Sequence, residues 1–471
     1  MDKPNILWIM CDQMRQDCAG FAGHTMVRTP HLDELASQGV VFENAYCASP
    51  VCSPARASWL SGLYPHRNGQ LDNYGPELAD EPGRVLSADC VTIGDVLSRN
   101  NYRCGIVGPW HLGHDHAPQH GLTDFWCTNG YQGKHPDRLH EYFACNDVRN
   151  MYGRGVPEHH EHVQFMRHSV CSDPRQQRTT WTVDRSLEFL QDRDNRPFFL
   201  FVSIKDPHPV MIVPPELLRH YPLDSIELDP TWRDPLEGKP RYQHDAKTRV
   251  TADVTDDDFR CMVAHYYALI THIDQQVGRL LDQLREADEA DNTIVVFMSD
   301  HGEMLGSHGF VCKRLMYEHS VKVPCVVHWP AGLPMNQRVR TPLGGVDLMP
   351  TLLELAGLSA PDQIDGRSVA KPIRDKREPE PQPIFAEISY NKASGADHAE
   401  TAMVLDGGYK YVWHRDDLDE LYHLRSDPME LKNLAVHDEQ DDRTATMRSA
   451  ISEMLKRHDP GPYAWCIQEP D

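Results

Sequence analysis

The chain has 471 residues with 70 acidic and 47 basic side chains, a formal net charge of −23, which excludes a general polyanion binder such as a nucleic-acid protein. Hydrophobic content of 40% and charged content of 25% are ordinary for a soluble globular protein, and no apolar run reaches the length of a membrane span. Thirteen cysteines without a CxxC pair fit a reducing cytoplasm and exclude a disulfide framework.

In chain order, MDKPNILWIMCDQ lacks a basic lead-in and a cleavage site and runs straight into a strand. Asn5 to Met10 is a continuous apolar run, as expected of a buried central strand ending at Asp12. In open α/β sheets, chemistry gathers at the carboxyl ends of such strands. His31 to Gly39 predicts a helix, with Val40 to Phe42 as the next strand. Cys52-Ser53-Pro54-Ala55-Arg56 then opens a helix, Pro54 suiting its first turn. The free N–H groups at that end favour an anion, and Arg56 adds a forked cation suited to a tetrahedral oxyanion. Taken alone, the pentapeptide reads equally well as a buried cysteine at a helix start.

Asn73 lies in a loop, where its amide can donate to an oxyanion or simply form a turn. Thr92 to Asn100 reads as a helix and Arg103 to Gly108 as a strand, followed by Pro109-Trp110-His111. His111, His114, His116 and His120 lie close together. Gly113 and Pro118 imply an irregular loop there, so a histidine-lined substrate rim is preferred to a second metal site. The stretch from Gly121 to about Gln177 reads as an insertion that governs substrate choice.

Thr180 to Asp192 predicts an amphipathic helix, and Pro197 to Ser203 a buried strand running into Lys205-Asp206-Pro207-His208. Pro214 to Asp257 reads as a surface excursion near the mouth of the site, and Asp258 to Arg285 as a long helix. The strand Thr293 to Met298 delivers Asp300 and His301, which can both reach one divalent ion. Glu303 and Arg314 read as supporting or solvated residues. Val323 to Trp329 is one more strand, and a helix starts after Asp347. The Pro- and charge-rich Ala370 to Pro383 marks a seam dividing a catalytic domain (1–370) from a smaller one (371–471) of short strands and a final helix near Met447 to Arg457.

The runs SPVCSPARASWLSGLYPHRNG, TPHLDELASQGVVF, GPWHLG, DPHP and SDHGEMLGSHG together resemble the type I sulfatases of the alkaline phosphatase-like superfamily, in family order and across nearly the whole chain. The resemblance implies an α/β fold, a large mixed sheet flanked by helices with a smaller C-terminal antiparallel-sheet subdomain. It implies that Cys52 is oxidised to formylglycine by a formylglycine-generating enzyme, the aldehyde's hydrate being the nucleophile. Asp12, Asp300, His301 and the modified Cys52 would hold one divalent metal ion, Ca2+ or Mn2+, the histidine leaning toward manganese. Arg56 and Lys313 would balance charge on the transferred group, and His208 would protonate the departing alcohol. His111 would take the proton from the second hydroxyl so that sulfate leaves, and Asn73 would contact the substrate, as would Gln13, for which the metal shell or a solvent-facing position is equally open.

Two departures stand out: Cys11 replaces the first of two adjacent family carboxylates, and Pro109 replaces the lysine of GKWHLG, removing an ammonium group. The function implied is hydrolysis of a small-molecule or oligosaccharide sulfate ester, by default a sulfated sugar, with no nucleic-acid or membrane partner and homo-oligomerisation left open. A phosphonate monoester or phosphodiester hydrolase using the same site is the alternative, favoured by the single Asp12, by Asp300-His301 and by Asn73. A binding-only protein is the third reading, suggested by Pro109 and Cys11.

Overall fold

The computed structural model describes residues 3–75, 79–115, 117–128, 168–171, 177–192, 194–245, 254–389, 400–437 and 441–467. Most of the segment expected to govern substrate choice, and His116, lie outside these residues. The main sheet has eight strands: β1 (Asn5–Asp12), β2 (Val40–Phe42), β3 (Arg103–Gly108), β4 (Asp124–Cys127), β5 (Phe198–Pro207), β6 (Thr293–Ser299), β7 (Cys325–His328) and β8 (Gln337–Val339). Their order is β8-β2-β7-β6-β1-β5-β3-β4. Only β7 runs antiparallel to its neighbours.

β1 shows why the sheet is central. All eight of its residues are buried. Ile6, Trp8 and Met10 enter one core and Leu7, Ile9 and Cys11 the other, because successive side chains of a strand point to opposite faces. Helices cover both faces. α1 (Pro30–Gln38), α4 (Arg178–Gln191) and α5 (Asp256–Glu286) pack on the Leu7 side; α2 (Cys52–Ser61), α3 (Ile93–Arg99) and α6 (Leu348–Leu355) pack on the Trp8 side. Thr255 and Asp258 cap the start of the 31-residue α5 reciprocally. No helix among the described residues is long and apolar enough to cross a membrane.

A second, antiparallel sheet of β9 (Ile384–Ile388), β10 (Thr401–Asp406), β11 (Tyr409–His414) and β12 (Glu420–His423) follows, with α7 (Asp441–Lys456) against it. The fold class is therefore the expected one.

Two local expectations are corrected. The single strand predicted over Val323 to Trp329 divides at Pro324, which has no N–H for a ladder: Lys322–Val323 pairs with Ala45–Tyr46, while β7 joins the main sheet. The Pro214 to Asp257 stretch is more than a surface excursion. Thr231, Trp232, Leu236, Lys239 and Gln243 are buried. Asp234 accepts from His308 Nδ1 at 2.6 Å, and Lys239 Nζ donates to Tyr422 of the second sheet at 2.7 Å.

Candidate active site

The neighbouring parallel strands β6, β1, β5 and β3 end side by side, and each ending supplies polar residues, as expected at the carboxyl edge of such a sheet. β6 leads to Asp300 and His301, and β1 ends at Asp12. β5 carries Lys205 and leads to His208, and β3 leads to Pro109 and His111. The first turn of α2 faces them with Cys52 and Arg56.

Ser53 fixes that turn. Its N–H donates to Asn73 Oδ1 at 3.0 Å and its hydroxyl to the His111 carbonyl at 2.5 Å. Asn73 keeps its Nδ2 for another acceptor. Gln13 and His111 adopt φ of +74° and +63°, the left-handed region where non-glycine residues cluster at functional sites.

Asp12, Cys52, Asp300 and His301 are all buried, and their ligating atoms lie within 4.8 Å of one another. His301 Nε2 is 3.2 Å from Cys52 Sγ, 3.6 Å from Asp300 Oδ1 and 3.8 Å from Asp12 Oδ1. Its Nδ1 donates to the Gly302 carbonyl at 2.9 Å, so Nε2 is the nitrogen turned into the cluster; burial pushes the ring's pKa down, but the charges at Asp300 and Cys52 outweigh it and push it up. Burial and the adjacent Asp12 charge push the Asp300 carboxyl up, the mark of paired carboxylates that a cation would relieve. These donors, two carboxylates, one imidazole and one thiol, fit a divalent ion.

The surrounding cations divide each carboxylate in two. Arg56 Nε meets Asp300 Oδ2 at 3.0 Å, and its Nη2 meets Asp12 Oδ2 at 3.3 Å. Lys205 Nζ meets the same Asp12 oxygen at 2.8 Å. Burial and Cys52 push the Asp12 carboxyl up, but Lys205, His208 and Arg56 together hold it well below the usual range.

Arg56, expected to balance charge on the transferred group, meets two carboxylates, a carbonyl and a hydroxyl here. The side chain is fully buried, and its Nη1 donates to the Pro109 carbonyl at 3.0 Å and to Ser203 Oγ at 2.7 Å. Gly108 makes this possible: its φ is +101°, and a Cβ there would lie 1.8 Å from the Ser203 carbonyl oxygen, so only glycine lets β3 pass this close to β5.

Gln13 is fully buried, its Nε2 donates to Glu303 Oε2, and its Oε1 accepts from Lys313 Nζ. Both ends of the amide are thus engaged, by Glu303 and by Lys313. Glu303 in turn is held by the Leu305 and Cys312 N–H groups.

Lys313 is directed at Cys52. Burial pushes the Cys52 thiol up, but Lys313, His301 and hydrogen bonds to His111 and His208 outweigh it and bring the sulfur well below its ordinary value. Position 52 is therefore built to carry negative charge. Burial, then the ammonium groups of Lys205 and Lys313, push His208 down to about 3. Arg178 fixes the turn carrying His208: its Nε binds Asp206 at 2.8 Å and its Nη2 the His208 carbonyl at 2.6 Å.

Of the histidines expected at a substrate rim, His114 and His120 line one cavity. His120 is buried beside Asp95 at 3.5 Å and against Trp110, whereas His111 reaches Cys52.

Lys205 is the residue that sequence reasoning missed. A lysine inside FFLFVSIKDP, a strand whose ten residues are all buried, is a legible signal, since a buried ammonium requires a partner. Arg178 and Glu303 carried weaker signals, a charge at a helix start and one after a metal motif.

The sulfatase family model matches residues 4–358, and the model for the N-sulphoglucosamine sulphohydrolase C-terminal region matches residues 306–457. The chain is 30% identical over 494 residues to an arylsulfatase of Clostridium perfringens, covering 98% of this chain and 96% of the relative. A solved structure in complex with its substrate D-glucosamine-2-N,6-O-disulfate is similar at a TM-score of 0.77 and 20% identity, covering 98% of this chain and 99% of that one. A phosphonate monoester hydrolase of Agrobacterium radiobacter is similar at a TM-score of 0.79 and 24% identity, covering 97% and 96%. At these identities the two structures speak to fold alone.

Proposed function

The chain belongs to the sulfatase family, the sulfuric ester hydrolases, and from that premise we propose that it cleaves a sulfate ester, by default one on a carbohydrate, at Cys52 converted to formylglycine. The observation that carries this reading is the buried cluster of Asp12, Cys52, Asp300 and His301. A divalent ion, Ca2+ or Mn2+, held by these residues supplies Lewis-acid polarisation of the sulfuryl group and acidifies the hydroxyl at position 52. The formylglycine hydrate, formed through a formylglycine-generating enzyme, supplies two hydroxyls on one carbon, one to attack and one to let sulfate leave.

The chain's own residues do the rest. Lys313, oriented by Gln13 and Glu303, balances negative charge at position 52 and on the transferred group. His208, fixed by Arg178, delivers the proton to the departing alcohol oxygen; the arriving anion offsets the two ammonium groups that add to burial in lowering its pKa. His111, with its buried Nδ1 lacking a partner among the described residues, takes the proton at position 52. Asn73 Nδ2 donates to a sulfate oxygen. A reducing compartment, the cytoplasm, suits the free cysteines.

The match of residues 306–457 to the N-sulphoglucosamine sulphohydrolase C-terminal model supports the carbohydrate default. The single Asp12 and the Asn73 amide favour a phosphonate monoester or phosphodiester as the second reading. Initial rates on nitrophenyl sulfate, phenylphosphonate and a nitrophenyl phosphodiester separate the two. The sulfate is expected to turn over at least about tenfold faster, with activity lost on chelation and restored by Ca2+ or Mn2+. A faster phosphonate or diester rate selects the second reading, and undiminished activity after chelation contradicts the metal.

A further inference from the structure

We propose that Lys205 is a positioning residue that makes Asp12 a one-oxygen metal ligand, an inference resting on the reading that a divalent ion lies among Asp12, Cys52, Asp300 and His301. Successive strand residues face opposite ways. Asp206 turns to Arg178 and Thr179, while Lys205 points into the site and is 4% exposed. Its ammonium lies 2.8 Å from Asp12 Oδ2, nearer than the Arg56 contact to the same oxygen at 3.3 Å. Only Oδ1 is then left facing His301 Nε2 and Cys52 Sγ, at 3.8 and 3.6 Å.

Lys205 also answers the departure at Pro109. β3 and β5 are paired neighbours, so the ammonium absent after the end of β3 is returned from the end of β5. Its position has a cost that gives the proposal a sign. An ammonium beside a ligand oxygen repels a divalent ion in the same low-dielectric pocket and prevents Asp12 from chelating through both oxygens. Removing the charge therefore tightens metal binding. Were Lys205 only a structural support, its loss would loosen the site and weaken binding.

The test is calorimetric titration of the chelator-stripped full chain with Ca2+ and with Mn2+. Lys205→Met is expected to bind about tenfold more tightly than wild type, and Lys205→Arg, which keeps a cation at Asp12, within about threefold of it. Lys205→Gln, which keeps a neutral donor to Asp12 Oδ2, gives the same comparison if the methionine variant does not fold. Equal or weaker affinity in the neutral variants overturns the proposal, as does equal tightening in Lys205→Arg. An Asp300→Asn variant that binds the ion as well as wild type, or a wild-type chain that binds none, overturns the underlying metal reading and this inference with it.

Discussion

Replacing Cys52 with alanine is expected to lower sulfate-ester turnover by at least about 10⁴-fold while leaving the unfolding midpoint nearly unchanged. The large effect follows from the convergence on this position. Lys313, His301, His111 and His208 all favour negative charge at the sulfur, and a methyl group offers them nothing to stabilise. The small effect on folding follows from the same geometry. Cys52 Sγ contributes no apolar packing comparable to Trp59 or Leu60 on the same helix, and the α2 start is held by Ser53 through Asn73 and His111. Steady-state rates with thermal melting of the same preparation check both halves. Retained activity in Cys52→Ala would remove this residue from the chemistry.

Arg56→Met is expected to act on stability and activity together, costing about 3–5 kcal/mol of folding stability, because it removes the guanidinium from two buried carboxylates. Four N–H groups of Arg56 are engaged by Asp300, Asp12, Pro109 and Ser203, and the side chain is fully buried. Its loss leaves Asp300 Oδ2 without its cation and leaves Lys205 alone on Asp12. Arg56→Lys should recover little, since one ammonium cannot span four acceptors in a fixed fork. Denaturant unfolding at constant metal concentration measures the loss, and turnover is expected to fall by about 10³-fold as both metal carboxylates reorient. Unfolding indistinguishable from wild type in Arg56→Met would mean that the carboxylates do not depend on it.

The parts of this arrangement that were legible in the sequence are those set by local pattern. NILWIM reads as a strand because continuous apolar residues need burial on both faces. SDHG after TIVVFM reads as a metal motif because a strand end places a carboxylate and an imidazole side by side. Orientation was less legible. A guanidinium at a helix start suits an external anion as well as it suits two buried carboxylates, and the close approach of Gly108 to Ser203, which sets two of the partners of Arg56, is not written in the local pattern. Gln13 was open for the same reason, since an amide beside a site becomes a strut only when Glu303, 290 residues away, closes on it. Lys205 was hidden by its neighbours: DPH drew attention to His208, and an isolated lysine between Ile204 and Asp206 does not declare which face it takes. The strand Glu420–His423 also depends on a long-range partner, pairing with β11 although its own sequence, ELYH, is too short to stand out.

The central claim is that the side chain at position 52 is an aldehyde hydrate in place of a thiol. Mass analysis of the peptide spanning Cys52, from protein whose turnover has been measured, tests it most directly. The active protein is expected to yield that peptide, once the hydrate has lost water to the free aldehyde, about 18 Da lighter than its unmodified sequence. A peptide carrying an intact thiol throughout, from fully active protein, would contradict the account.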